Sequence, residues 1–111
     1  MKKLSRKELL KMYDSVDPFS EGLARVEKDG KEFHIRPDGT PAYKERYDFA
    51  CSFSEGLAVV KKDDKRFHIH PDGTPAYKGR YDSVGPFSEG LARVEKDGKQ
   101  FHIRPDGTRV N

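Results

Sequence analysis

The sequence predicts an all-β protein in which one antiparallel unit, a β-hairpin or a three-stranded meander, is repeated three times in tandem. The first reason is a strict period of 34 residues, visible in the Tyr-Asp pairs that begin at Tyr13, Tyr47 and Tyr81. The second is the alternation of apolar and polar residues in each copy, and the third is the Asp29-Gly30 turn signal with its two counterparts. A unit this small cannot bury its own apolar face, so we expect neighbouring units to share a core.

The length and composition predict one continuous, elongated domain. The chain has 111 residues, of which 33% are hydrophobic and 37% are charged, against roughly 45–50% and 25% in typical globular domains. The core is therefore expected to be thin, and an open solenoid is favoured, since three blades are too few for an ordinary propeller. The period sets the expected boundaries: a capping segment over 1–12, repeats over 13–46 and 47–80, and a third, truncated repeat over 81–111.

A short helix is predicted over residues 6–12. Ser5 and Glu8 have the spacing of a capping box, in which each side chain satisfies the other residue's backbone amide. Leu4 and Leu9 have the spacing of a hydrophobic staple. A helix of about two turns is not stable alone, so we expect it to cover the first repeat with its apolar residues, namely Leu9, Leu10 and Met12.

The same segment offers an alternative function. Residues 1–12 contain five cations and one carboxylate, a net charge of +4, whereas the repeats together sum to −1. A basic amphipathic helix is typical of segments that bind nucleic acid or anionic membrane surfaces. We consider such binding less favoured than capping, because two turns present little surface and the repeats carry no basic stripe.

The centre of each repeat predicts a hairpin with a defined register. A two-residue turn at Asp29-Gly30 places Val26 opposite Phe33 and Ala24 opposite Ile35. These four apolar side chains then share one face, as a buried face requires. The opposite face would hold Arg25 with His34, and would be partly exposed.

A second turn is predicted at Pro37-Asp38-Gly39, where the proline presets φ and the glycine adopts a left-handed conformation. We expect a third strand to begin after this turn, over Pro41-Ala42-Tyr43. In the tight Ser-Glu-Gly turns, the hydroxyls of Ser20, Ser54 and Ser88 are expected to cap the backbone.

Charge differences between the copies predict how the units stack. Glu27 is replaced by Lys61 in the second copy, and Glu32 by Arg66. If the units stack in register, each of these charges would meet an opposite charge in the neighbouring unit, an effect of about 0.2–1 kcal/mol for each exposed pair.

The Phe-Ser-Glu-Gly-Leu-Ala stretch at residues 19–24, the Asp29-Gly30-Lys31 turn and the following aromatic strand together resemble the bacterial WG repeat, also called the KWG repeat. The resemblance covers all three units. It implies a β-rich repeat module with no assigned catalysis. The sequence departs from the family at the Trp-Gly pair itself, since the chain has no tryptophan and these positions hold Glu32-Phe33, Arg66-Phe67 and Gln100-Phe101.

A histidine recurs at one position of each copy: His34, His68 and His102. Three imidazoles can bind zinc if the units bring them together, and they are the only metal or ligand site that we consider. The alternative, which we favour, is that each is a half-exposed side chain packing beside its cross-strand neighbour, so we expect no metal and no cofactor.

The single cysteine, Cys51, excludes a disulfide within the chain. A nucleophile pair formed by Cys51 and His70 is conceivable, but no oxyanion motif accompanies it. No phosphate loop, dinucleotide fingerprint or calcium loop is present either, so we do not expect an enzyme.

We therefore expect a non-catalytic scaffold or protein-interaction module, in the cytoplasm and without a membrane span. The partner is expected to be a protein, self-association through the C-terminal edge is an alternative, and nucleic acid is disfavoured. The expected interaction face contains one set of cationic and imidazole side chains: Arg25, His34, Arg36, His68, Arg93, His102 and Arg104.

Overall fold

The computed structural model describes residues 2–110 and confirms the all-β repeat fold. A short helix, α1 (Arg6–Met12), precedes three sheets of three antiparallel strands. The first sheet contains β1 (Ser15–Val16), β2 (Ala24–Lys28) and β3 (Lys31–Ile35). The second contains β4 (Phe49–Ala50), β5 (Ala58–Lys62) and β6 (Lys65–Ile69), and the third contains β7 (Ser83–Val84), β8 (Ala92–Lys96) and β9 (Lys99–Ile103).

The predicted hairpin register is confirmed in all three copies. In the first, Val26 pairs with Phe33 and Ala24 with Ile35, and all four side chains are buried. Asp29 and Gly30 have φ values of 53° and 79°, the positive values that a type I′ turn requires at both central positions. The sign of φ follows from the right-handed twist of the strands that the turn joins.

The third strand of each sheet lies elsewhere than the sequence suggested. Pro41 forms only an isolated bridge to Ile35, and no strand runs through Ala42 and Tyr43. Instead, β1 pairs with the outer edge of β2, with Val16 opposite Val26. The segment before the hairpin thus completes each meander, because Val16 and its counterparts extend the apolar face that β2 begins.

Successive units are joined edge to edge. The backbone of Glu32 in β3 exchanges two hydrogen bonds with Tyr47, of 2.9 and 3.0 Å, and Arg66 bonds to Tyr81 in the same way. The result is an open stack measuring 45 × 26 × 19 Å. Its core runs the length of the molecule as one cluster of apolar side chains contributed by every unit.

Helix α1 closes one side of the first unit. The Ser5 hydroxyl accepts from the Glu8 amide at 3.1 Å and the Glu8 carboxylate accepts from the Ser5 amide at 2.9 Å, so the predicted capping box is confirmed. Leu9 is buried and joins the core, whereas Leu10 and Met12 remain exposed, contrary to the expectation that all three would be covered. At seven residues, α1 is far too short to cross a membrane, and no other helix occurs in residues 2–110.

Candidate interaction surface

The recurring histidines are not half-exposed, and this overturns our expectation for two of them. His34 and His68 are both fully buried, with 0% of their surface accessible, whereas His102 is exposed. Both faces of β3 are covered at this position because a loop of the next unit lies over the second face. The ring of His34 meets Phe53 of that loop at 4.5 Å, and His68 meets Phe87 in the same way.

Hydrogen bonds fix the protonation of each buried ring. The Nε2 atom of His34 lies 2.7 Å from the carbonyl oxygen of Cys51, which can only accept, so Nε2 carries the proton. Its Nδ1 atom lies 2.6 Å from the Tyr43 hydroxyl, which must therefore donate. His68 repeats the arrangement with Gly85 and Tyr77. Burial lowers the pKa of both histidines from 6.5 to about 4, so they are neutral at pH 7.

This geometry leaves His34 and His68 without a lone pair for a metal ion. Metal coordination needs the unprotonated nitrogen, and that nitrogen already accepts a hydrogen bond from a tyrosine in both residues. No group of three or more histidine, cysteine, aspartate or glutamate side chains suited to a metal occurs in the described part of the chain. The buried histidines instead link consecutive units.

Cys51 and His70 do not form a reactive pair in this arrangement. The imidazole that contacts Cys51 is that of His34, and it bonds to the backbone carbonyl. Burial raises the pKa of the Cys51 thiol, which disfavours the thiolate that a nucleophile requires. His70 is exposed at the start of the Pro71 turn, where its amide donates to the Thr74 carbonyl.

The Phe-Ser-Glu-Gly turns couple neighbouring units, a role that the sequence did not reveal. The Ser20 hydroxyl donates to the Phe53 carbonyl of the next unit at 3.0 Å. The Glu21 carboxylate accepts from the amides of Glu55 and Gly56, both at 2.8 Å. The second junction repeats these bonds, from Ser54 to Phe87 and from Glu89 and Gly90 to the Glu55 carboxylate. Each turn therefore caps the same turn one unit further along.

Glu32 and Arg66, which differ in charge at one repeat position, each bond to the backbone of the following unit. Glu32 accepts from the Ala50 amide at 2.8 Å, whereas Arg66, at the same position, donates to the Asp82 carbonyl at 2.9 Å. Ion pairs between units do form, but between Lys31 and Asp48 and between Lys65 and Asp82, which keep the same sign at both junctions. The expected pairing of Glu27 with Lys61 and of Glu32 with Arg66 is therefore wrong.

The arginines of the expected interaction face have different environments. Arg25 is held by Asp17 at 2.7 Å and by Glu32 at 3.3 Å and is largely covered. Arg36 and Arg104 are exposed and brace their own turns, with Arg36 donating to the Pro41 carbonyl at 2.7 Å. Arg93 is exposed beside His102, its cross-strand partner. Arg93, His102 and Arg104 thus remain accessible together at the C-terminal end of the stack, whereas the face is interrupted at His34 and His68.

The last unit exposes the groups that earlier units use to bind their successors. We define the C-terminal end face as Ser88, Glu89, Leu91 and His102. Leu91 is 37% exposed, compared with 9% and 5% for its counterparts Leu23 and Leu57. The side chains of Ser88, Glu89 and His102 make no hydrogen bond within residues 2–110 and are exposed. This surface therefore has the chemistry of a repeat junction with one partner absent.

The first unit exposes the opposite half of a junction. We define the N-terminal end face as Phe19, Glu21 and Gly22. Phe19 is 41% exposed, whereas Phe53 and Phe87 are 3% and 1% exposed because a histidine of the preceding unit covers each of them. Helix α1 covers Tyr13, which is buried, but it leaves Phe19 open. The helix therefore closes only half of this end.

Comparison with known proteins identifies the repeat. A family model described as a WG-containing repeat matches residues 6–31, 35–65 and 69–99, which is most of the chain. The chain belongs to the WG-containing repeat family. No curated protein and no solved structure gives a significant match to it.

The bounds of the matched segments also explain the position of helix α1. The second and third matched segments begin at the last residue of β3 and β6, and the first begins with α1. Helix α1 therefore takes the place that Thr40–Arg46 holds one period later, and Leu9 corresponds to Tyr43. Both residues are buried, so the helix packs on the first sheet where the end of a WG unit packs on the second.

The phenylalanines that stand at the Trp-Gly positions are part of the core. Phe33 and Phe67 are buried, and each ring is covered by an arginine guanidinium, Arg46 at 3.7 Å and Arg80 at 3.8 Å from the ring centre. A phenyl ring at this position thus provides the flat apolar surface on which the arginine stacks.

Proposed function

We propose that this WG-repeat chain is a non-catalytic scaffold that binds a protein partner through its C-terminal end face. The observation that carries the proposal is the contrast between equivalent residues. In the first unit, hydrogen bonds to the next unit are made by the side chains of Ser20, Glu21 and His34. Their counterparts in the third unit are exposed and make no side-chain hydrogen bond within the described chain: Ser88, Glu89 and His102.

The contents of this surface favour a polypeptide as the ligand. A carboxylate that elsewhere accepts two consecutive backbone amides, and a hydroxyl that elsewhere donates to a backbone carbonyl, are groups matched to main chain. Leu91 adds an exposed apolar contact at the same end. Binding through backbone bonds plus an apolar side chain is a common way of recognising an extended segment.

The remaining chemistry of the molecule also supports a binding role. Each buried histidine is hydrogen-bonded to a tyrosine hydroxyl and to a backbone carbonyl, which leaves its ring no free lone pair. The lysines at the hairpin turns that face a following unit are paired with aspartates, which reduces the cationic surface available to a polyanion. The C-terminal end face is the part of the described stack where the groups that bind main chain at the junctions are exposed.

Site-specific photo-crosslinking tests the proposal. We would replace Leu91 with a benzophenone amino acid and express the chain in cells of its source. As a matched control, the same amino acid would replace Phe49, which is 41% exposed but lies on the side of the stack in β4. We expect a discrete protein adduct from position 91 and none of the same mass from position 49.

The mass of the adduct and its peptide map identify the partner. An adduct that forms at position 91 and disappears when Glu89 and His102 are both changed to alanine supports the proposal. Absence of any adduct from position 91, or identical adducts from positions 91 and 49, would overturn it.

A further inference from the structure

We propose that the partner of the C-terminal end face is the N-terminal end face of a second copy of this chain, so that copies associate head to tail. This inference rests on the proposed function and deepens it by naming the occupant. It is argued from two internal junctions in which the same surfaces already meet, so the contact would continue an interface that the molecule uses twice.

The groups on the two ends correspond one to one. At the internal junctions, a histidine packs on a phenylalanine and a glutamate carboxylate accepts two consecutive amides of the next turn. His102 and Glu89 are the free members of these sets at one end. Phe19, Glu21 and Gly22 supply the matching ring and the two amides at the other end, where all three residues are exposed.

The remaining bonds follow the same correspondence. Ser88 would donate to the Phe19 carbonyl, as Ser20 does to Phe53 and Ser54 does to Phe87. The Nε2 atom of His102 would donate to the carbonyl of Asp17, which corresponds to Cys51 and Gly85. Since that bond uses backbone, the change of side chain at this position does not remove the acceptor.

Both ends of the molecule are closed on the same side and open on the other. At the N-terminal end, α1 covers Tyr13, and its own Leu9 is buried there. At the C-terminal end, Arg109 lies over the Phe101 ring at 4.3 Å, in the manner of Arg46 over Phe33. Tyr13 and Phe101 belong to the aromatic side of the units, where Tyr13 packs on Phe33 and Tyr81 on Phe101. The surfaces left open are the halves that carry His102 and Phe19.

A contact between two different faces does not close on itself, which determines the test. We would measure the weight-average molar mass of the protein by sedimentation equilibrium over a concentration series. Two variants each disrupt one end face. Phe19→Asp disrupts the N-terminal end face, and the double substitution of Glu89→Ala with His102→Ala disrupts the C-terminal end face. Phe49→Asp is the matched control, because Phe49 has the same 41% exposure as Phe19 but lies outside both ends.

We expect the 12.7 kDa wild-type chain and Phe49→Asp to exceed a dimer as concentration rises, since one face of each kind is exposed in residues 2–110. Each end variant alone should remain at the monomer mass, and a mixture of the two should form a dimer and nothing larger. Unchanged melting temperatures would show that the variants fold.

Three results would overturn the inference: a wild-type protein that stays monomeric up to its solubility limit, association of Phe19→Asp by itself, or a mixture that does not dimerise. The second result would indicate a symmetric contact between C-terminal faces. A monomeric wild type together with a photo-adduct from position 91 to a different protein would remove the head-to-tail contact while leaving the proposed function intact.

Discussion

His34 and His68 are the residues whose chemistry is most altered by the stacking of the units. Each is a titratable side chain placed at the centre of a junction and fully buried there. Neutral imidazole can donate at one nitrogen and accept at the other, and the junction supplies one carbonyl and one hydroxyl in those positions. Protonation would place a positive charge in a site shielded from water, so burial lowers the pKa of both histidines and disfavours the charged form.

We predict that acid weakens the fold through these two residues. The unfolded chain takes up their protons near pH 6.5, whereas the native state takes them up only near pH 4. The free energy of unfolding should therefore be greatest above pH 6.5 and fall as the pH decreases to 4, by roughly 3 kcal/mol for each histidine. Urea titrations at a series of pH values measure this slope.

The controls for this prediction lie in the same repeat position. His34→Gln keeps a donor and an acceptor but cannot titrate, so its slope between pH 6.5 and 4 should be about half that of the wild type. His102→Gln makes the same substitution at the exposed copy, where no following unit covers the ring, and serves as the matched control. Equal slopes for the wild type and His34→Gln would show that the buried imidazole does not control acid stability.

Among the elements, the hairpin of the second unit has the least favourable turn. Asp64 stands where the other two units have Gly30 and Gly98, and its φ of 65° lies in the left-handed region. A residue with a side chain is strained there by about 1–2 kcal/mol, whereas glycine is not. The side chain is 97% exposed, and its ion pair with Lys61, at 3.9 Å, is weak.

We predict that Asp64→Gly raises the free energy of unfolding by about 0.5–1 kcal/mol. The substitution relieves the backbone strain, and the greater chain entropy of glycine in the unfolded state offsets part of this gain. The reverse change, Gly30→Asp, should lower it by a similar amount. Thermal and urea unfolding of both variants give the comparison. A loss of stability in Asp64→Gly would mean that the aspartate side chain holds the turn in a way that its backbone angles do not suggest.

Local elements could be predicted from the sequence, whereas the contacts between units could not. The hairpin register follows from Asp29-Gly30 and from alternation within twelve residues, and the helix start follows from Ser5 and Glu8. These signals are short-range. Nothing local shows that β1 pairs with β2 or that the turns of successive units touch.

The burial of His34 was missed for the same reason. Its partners lie 9 and 17 residues away, and one of them is a backbone carbonyl, which leaves no trace in the choice of side chain. The tyrosine partner did leave a signal. Tyr43 and Tyr77 each follow a buried histidine by nine residues, while the residue nine after His102 is an asparagine. Pairing of a recurring polar residue with a recurring hydroxyl would have indicated a buried hydrogen bond.

Close packing of glycine backbone on tyrosine side chains of the preceding unit also contributes to the contacts between units. A Cβ atom added at Gly73 would collide with the Cβ atom of Tyr43 in the preceding unit, and one added at Gly107 would collide with that of Tyr77. The Pro-Asp-Gly turn therefore requires glycine for space as well as for its positive φ. At Gly39 the corresponding neighbours are the flexible side chains of Leu4 and Met12, which is a further sign that the N-terminal segment replaces a preceding unit.

At the scale of the whole molecule, stability is expected to depend on contacts between nearest neighbours, as in other solenoids. The glutamates of the Phe-Ser-Glu-Gly turns provide a direct test because one of them bonds to no following turn within the described residues. Glu55 and Glu89 have the same φ of 52°, but only the Glu55 carboxylate holds two amides of a following unit.

We predict that Glu55→Ala lowers the free energy of unfolding by about 1–2 kcal/mol, since two charge-assisted hydrogen bonds are lost at an exposed site. At concentrations where the chain is monomeric, Glu89→Ala should change it by less than a few tenths of a kcal/mol. Hydrogen exchange should show faster opening of the third unit in Glu55→Ala alone. If the two variants were equally stable, the carboxylate ladder would not couple the units.

The direction of the junction bonds has a consequence for how such an array grows. Each unit carries the donating hydroxyl, the accepting carboxylate and the imidazole on its trailing side, and the carbonyls, amides and phenyl ring on its leading side. A duplicated stretch of 34 residues, inserted in frame, would meet both of its neighbours with the required groups already in place. Gene duplication can therefore lengthen the array in single steps, without compensating substitutions, and only the terminal segments need to be different.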